Sequence, residues 1–159
     1  MRDYFTEELD IPVFHNPIEM EINHKRFLLG HGDGLGPGDE KYKLLKKIFT
    51  NSVCQWLFKW LHPDIGIALA HQWSKNSRIS NNLKELDEFK GKEGEWLWEY
   101  CRTVEMKMHF DYYIFGHRHL PLELPVSENS LYINLGEWVN QFSYGEFDGH
   151  QFHLNYFTR

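Results

Sequence analysis

Apolar and polar positions alternate with two different periods along this chain. Residues 18–22 and 26–29 are short apolar-rich runs separated by Asn23-His24, a pair suited to a tight turn, and the pattern predicts two paired strands. Before them, Thr6 and Leu9 with their neighbours read as a short helix and residues 11–14 as a brief strand. The ten residues after the second run, GHGDGLGPGD at 30–39, hold five glycines and one proline, so a loop leaves the end of that strand. The period then changes. Tyr42, Leu45, Ile48, Phe49, Val53, Trp56, Leu57 and Trp60 recur at helical spacing, Pro63 interrupts, and residues 65–73 resume, which predicts two or three short helices.

A polar stretch at 76–82 reads as a hinge, and a long charged helix is expected over 84–108, with Gly91 and Gly94 working against its first turns. Strand-like runs follow at 112–115, 122–126, 131–134, 138–144 and 151–157, with Asp148-Gly149 as a hairpin turn between the last two. Helices set between groups of strands predict a mixed α/β (α+β) fold, either one sheet with a helical insertion or two sheets.

The remaining arithmetic narrows the class. Twelve Phe, eight Tyr and six Trp in 159 residues exclude a disordered tail and supply one sizeable core. No run approaches the ~20 apolar residues of a membrane span, and MRDYFTEELD does not resemble a signal peptide, so a cytoplasmic protein is expected. Cys54 and Cys101 are too few for a disulfide framework and read as small buried hydrophobes. The net charge of −6 is an average: residues 41–78 carry seven basic groups and one acidic group, a local +6, leaving −12 elsewhere.

Three groups of residues are suited to chemistry. His31 and Asp33 leave the end of a strand. His117 and His119 follow the run 112–115 and Gly116, and in an extended segment their side chains project to one side, as ligands of one metal or of adjacent metals do. Neutral imidazole suits Zn, Mn or Fe. Asp33, Asp39 and Glu137 are the nearby carboxylates, none at a compelling spacing. Third, Lys41, Lys43, Lys46, Lys47 and Lys59 are interleaved with Phe49, Trp56, Leu57, Phe58 and Trp60, a surface fitted to anionic lipid or a phosphorylated ligand. Lys75 and Arg78, with Ser74 and Ser77, are placed to grip phosphate oxygens. The basic zone is small and no nucleic-acid motif is present, so nucleic acid is not the expected partner. His24, His62, His71, His109, His150 and His153 read as exposed, packing or capping residues, and Trp138 as core.

His31-Gly32-Asp33 followed much later by Gly116-His117-Arg118-His119 resembles the C-terminal part of the calcineurin-like metallophosphoesterases. Within them, the resemblance runs over essentially the whole chain to the branch of UDP-2,3-diacylglucosamine diphosphatases, through GHGDGLGPGD, CQWLFKWLHPDIG, the stretch 74–78, GHRH and LYINLGEWV. It implies a partial metallophosphoesterase sandwich forming one domain over 1–159, with a helical cap inserted at about 41–82. It also implies two Mn2+ ions, His31 and His117 on one and His119 on the other, with Asp33 orienting the loop. The cap, with Trp56 and Trp60, would bind the acyl chains and rest on the anionic cytoplasmic face of the inner membrane. Ser74, Lys75, Ser77 and Arg78 would lie near the diphosphate of an acylated UDP-sugar substrate. The implied reaction is two-metal attack at the phosphorus attached to uridine, giving UMP and 2,3-diacylglucosamine 1-phosphate.

The family's N-terminal series, Asp-x-His at the end of a first strand, then Gly-Asp, then Gly-Asn-His-Asp, does not occur ahead of His31. The expectation is therefore a fragment lacking the first part of such an enzyme, with little or no hydrolysis by itself. Another phosphoesterase of the same fold, or a lipid-binding surface module without chemistry, are the alternative readings.

Overall fold

After a single π-helical turn at Tyr4–Glu8, where a short helix is expected, the chain runs β1 (Ile18–Ile22), β2 (Lys25–Gly30), α1 (Glu40–Thr50), α2 (Ser52–Lys59) and α3 (Pro63–Ser80). A 3-10 turn (Lys92–Gly94) leads into α4 (Trp96–Glu105), followed by β3 (Tyr112–Phe115), β4 (Pro121–Ser127), β5 (Ser130–Leu135), β6 (Ser143–Phe147) and β7 (Phe152–Tyr156). This is a computed structural model, which describes residues 4–37, 40–80, 89 and 91–158, the side chains of 40–42, 73 and 76–80 excepted.

β1 and β2 pair antiparallel, with Ile18 opposite Leu29 and Ile22 opposite Lys25. Asn23 and His24 both take positive φ, 50° and 62°, the backbone that a two-residue hairpin turn of matching twist requires. β2, β3 and β5 are successive parallel neighbours, and β4 closes the far edge antiparallel to β5, giving the order β1-β2-β3-β5-β4. Parallel neighbours need crossovers, and between β2 and β3 the helical segments supply one.

Alternation along the three parallel strands builds two cores, one on each face. Leu28, Tyr113, Phe115 and Tyr132 point to one side and pack with Leu97, Trp98 and Cys101 of α4, and with Phe110. Phe27, Ile114 and Ile133 point to the other, where Phe147, Phe152 and Leu154 of the β6–β7 hairpin cover them. The sheet is thus held between a helix and a hairpin, a mixed α/β fold as the periodicity predicts. The hairpin turns at Asp148-Gly149, where Asp148 Oδ1 accepts from the amides of His150 and Gln151.

Several local expectations are corrected. Residues 11–14 form no strand. The helix expected over 84–108 is shorter: Gly91, at φ 89°, precedes a 3-10 turn, and α4 begins at Trp96; residues 84–88 lie outside the described part. The expected hinge at 76–82 is helical as far as Ser80, with 81–82 outside the described residues. Pro63 opens α3, where a proline costs nothing because its missing N–H has no helical partner, and His62 Nδ1 accepts from the Asp64 amide. The strand expected at 138–144 starts only at Ser143, because Glu137 gathers the amides of Val139, Asn140 and Gln141 into a turn. Trp138 is accordingly more than half exposed instead of core. Cys101 is buried as expected, but Cys54 is only half-buried.

The helices α1–α3 are different in kind from α4. No described side chain between Lys43 and Lys75 is buried. Their local signals are good: Asn51 caps α2 by accepting from the Val53 and Cys54 amides. Two lysines tie α1 to the loop after β2, Lys46 Nζ to the Asp33 carboxylate at 2.6 Å and Lys43 Nζ to the Gly36 carbonyl at 2.9 Å. Among the described residues no helix is long and apolar enough to cross a membrane.

Candidate functional site

The parallel strands set the site. Gly30, Phe115 and Asn134 lie side by side in one row, so β2, β3 and β5 all release their chains at the same edge of the sheet. In α/β sheets the crevice outside the carboxyl ends of parallel strands is where ligands bind. The first residues past that row are joined, the Gly116 amide donating to the His31 carbonyl at 3.1 Å.

This brings the imidazoles of His31 and His117 together. His31 Nε2 and His117 Nδ1 are 3.3 Å apart, with the rings nearly perpendicular. The backbone at His117 is not extended, contrary to the expected i, i+2 projection. Its φ is 50°, and the Arg118 amide closes back on the Gly116 carbonyl, a γ-turn of the rare positive-φ kind. The chain thus turns sharply between the two histidines of GHRH. His117 faces His31, whereas His119 is exposed and lies on the Glu137 side.

The glycine loop fits closely behind His31. At Gly32, φ 107°, an added Cβ would sit 3.0 Å from Leu97 Cδ1, and at Gly36, φ 78°, it would sit 2.5 Å from the Trp96 carbonyl oxygen. The loop is therefore seated on the first turn of α4, and side chains there would push it off. A cleft of about 570 Å3 opens beside it, lined by His31, Gly32, Asp33 and Lys46 and, across from them, by Phe14, His15 and Pro17.

The candidate carboxylates are engaged in other work. Asp33 holds Lys46. Burial by itself raises the Glu137 carboxyl, but the amides of Asn140, Gln141 and Val139, with nearby His119, outweigh it and bring the group below the usual carboxylate range. Asp39 lies outside the described residues. Among the described residues no three His, Cys, Asp or Glu side chains converge as a metal-binding set. The two-histidine arrangement nonetheless has the dimensions of a partial ligand set: nitrogens each about 2.1 Å from one cation at a tetrahedral angle are about 3.3–3.4 Å apart. The same separation accommodates an N–H···N hydrogen bond between neutral rings.

The other candidates are dispersed. Trp56 and Trp60 make an edge-to-face pair at 5.8 Å, both largely exposed. Ser74 and Lys75 are exposed on α3, and the side chains of Ser77 and Arg78 lie outside the described residues.

Four residues not singled out from the sequence surround the His117 turn: Arg118, Glu95, Trp96 and Asn134. Arg118 turns inward, its Nη1 3.2 Å from Glu95 Oε2, with both side chains almost fully buried. The guanidinium lies over the Trp96 ring, which in turn meets the edge of His117. Asn134, fully buried, donates from Nδ2 to the carbonyls of Arg118 at 2.6 Å and Leu120 at 2.7 Å. The Asn134 signal is visible in the sequence: a polar amide amid the apolar run 131–135 demands a specific partner. Nothing local separates Glu95 from Glu93 or Glu99.

Comparison with known proteins adds distant relatives. The chain is 29% identical to a UDP-2,3-diacylglucosamine hydrolase of Porphyromonas gingivalis over 166 residues, which covers 94% of this chain and 61% of that protein. Against proteins of the same description from Pseudomonas aeruginosa and Photorhabdus laumondii, the identity is 27% over 140 and 153 residues, covering 86% and 87% of this chain and 56% and 57% of theirs. The chain thus spans less than two thirds of the length of these relatives, and the homology is distant, at the level of the family. No family model matches the chain.

Proposed function

We propose that this chain carries part of the metal centre and the lipid-facing cap of a Mn2+-dependent pyrophosphate hydrolase acting on an acylated UDP-sugar. In this reading the α4–sheet–hairpin layers belong to a calcineurin-like metallophosphoesterase sandwich in one domain, and residues 41–82 are its cap. The observation that carries it is the approach of His31 Nε2 and His117 Nδ1 to 3.3 Å at the carboxyl ends of adjacent parallel strands. Similarity to UDP-2,3-diacylglucosamine hydrolases supports the substrate class.

His31 and His117 would hold one cation and His119 a second. A divalent cation held there would neutralise charge on the phosphoryl oxygens. The hydrolysis adds water at the phosphorus attached to uridine and breaks that phosphorus's bond to the bridging oxygen, so that UMP forms and the acylated sugar 1-phosphate is the leaving group. The chain's own residues bind and orient. The loop at 30–36, seated on Trp96 and Leu97, fixes His31; residues 74, 75, 77 and 78 belong to the stretch assigned to the diphosphate; and Trp56 and Trp60 would meet the acyl chains. The exposed apolar side chains of α1–α3, set among lysines, support a cap that rests on an anionic membrane surface at its cytoplasmic face.

Mn2+ binding to the purified chain, followed by loss of the electron paramagnetic resonance signal of free Mn2+, tests the centre. His31→Ala and His117→Ala should each abolish binding at the site, and His24→Ala, in the distant β1–β2 turn, should not. Binding that survives both of the first two changes overturns the assignment. Release of UMP from UDP-2,3-diacylglucosamine by the chain by itself is expected to be weak or absent, and an enzyme-like rate would overturn that part. Vesicles containing anionic lipid should retain the chain, and retention should fall when Trp56 and Trp60 become serine; equal retention overturns the membrane face.

A further inference from the structure

The turn that presents His117 is costly. A positive-φ backbone at a non-glycine residue is strained and persists only where the surroundings over-determine it. Here they hold it on both sides. On the side-chain side, Arg118 is anchored 3.2 Å from Glu95, with the Tyr132 hydroxyl donating to the other Glu95 oxygen at 3.3 Å. On the backbone side, Asn134 takes the carbonyls before and after His119. Trp96, adjacent to Glu95 in sequence, spans the guanidinium and the His117 ring.

A buried ion pair is a poor device for stability. Replacing such a pair by apolar residues of similar volume is often neutral or stabilising. What the pair and the amide share is their target: each fastens a residue adjacent to a histidine, and neither touches the cleft beside His31. We propose that Glu95, Arg118 and Asn134 are positioning residues that hold His117 with Nδ1 turned to His31 Nε2. The proposal deepens the metal-centre reading and rests on it for its functional meaning. The geometry it asserts belongs to the metal-free chain.

The test therefore has a metal-free arm and a metal arm. In the first, the ring nitrogens of His31 and His117 are observed by nuclear magnetic resonance in the wild type, in Asn134→Ala, and in the paired replacement of Glu95 and Arg118 by methionine. The expected result is a retained or raised melting temperature for the paired variant, with the His117 ring nitrogens shifted and the two imidazoles no longer adjacent. In the second, Co2+ alone is titrated and its visible spectrum followed. Affinity should fall about tenfold or more in both variants, the scale for residues that orient a ligand. In a His117→Ala background the same changes should leave the His31 ring signals where His117→Ala alone puts them.

Folded variants whose His117 signals and Co2+ affinity match the wild type overturn the proposal, as does affinity that tracks melting temperature alone. If the wild type binds no Co2+ but the ring signals move as expected, the metal reading fails and the positioning stands. Arg118→Lys, which keeps the charge but not the fork, should restore the signals only partly. It also supplies the measurement should the paired variant not fold.

Discussion

Leu97 and Trp60 are large apolar residues on two short helices, and they meet opposite fates. Leu97, on α4, is 0% exposed; Trp60, at the end of α2, is 76% exposed. Both helices have amphipathic patterns. The difference is the partner: α4 lies on a sheet whose rows offer Leu28, Tyr113 and Tyr132, while the described residues of α1–α3 have no comparable layer beneath them and α1 is tied by lysines to the loop at 33–36. Amphipathicity predicts that a helix has an apolar face, not what that face covers. In α1–α3 the apolar side chains are left exposed, and a large exposed apolar surface marks an interaction site.

The largest expected effect tests that contrast directly. Leu97→Ala should cost about 2–5 kcal/mol in urea unfolding, because a fully buried leucine leaves a cavity against the sheet and under Gly32. Trp60→Ala should change stability by no more than about 0.5 kcal/mol, as exposed substitutions do. Similar losses from the two would mean that α2 has a packed face after all.

A middle-sized effect lies at the far end of α4. The helix is bracketed by two carboxylates, Glu95 toward the histidines and Glu105 at its last turn, where the helix dipole disfavours a negative charge. Burial raises the Glu105 carboxyl further, yet hydrogen bonds from Tyr113 at 2.6 Å, His109, Ser130 at 2.7 Å and the Phe110 amide bring it down to about 2. Its folded value lies below its unfolded one, so the unfolded chain binds more protons between them. The stabilisation is complete above about pH 5 and is lost as pH falls toward 2, about 2–3 kcal/mol in all. Glu105→Gln should lose that amount at pH 7 and show a flatter decline in acid. An unchanged acid profile would place the main acid-labile contact elsewhere.

Much of this is legible in the sequence, and the rest has identifiable physical reasons. The runs at 112–115 and 131–134 read as strands because their apolar residues serve two faces, and His117 and His119 fall just past the end of the first. The γ-turn at His117 is not legible, because nothing in GHRH distinguishes it from an extended segment; it depends on Glu95 and Asn134, distant in sequence. Trp138 misleads for the opposite reason. Its strand-like neighbours suggest burial, but Glu137 draws three following amides into a turn, and short-range hydrogen bonding prevails over pattern. Period alone is enough to find the helices α1–α3. Their exposure is another matter, since period carries no information about partners.

The smallest effect probes the seam between the two regions. The Lys46–Asp33 pair is short but partly exposed, with the lysine side chain 39% and the aspartate 23% accessible, so its coupling in a double-mutant cycle with Lys46→Met and Asp33→Asn should be about 1 kcal/mol or less. Global stability is therefore an insensitive readout. Hydrogen exchange is a better one, because it resolves openings that fall short of unfolding. Loss of the pair should deprotect amides in α1 while leaving those of α4 and β3 at wild-type rates, since Leu97, Trp98 and Cys101 pack without help from α1. Equal deprotection of α1 and α4 would make the helices and the sheet one cooperative unit, and Leu97 and Trp60 would then differ only in exposure.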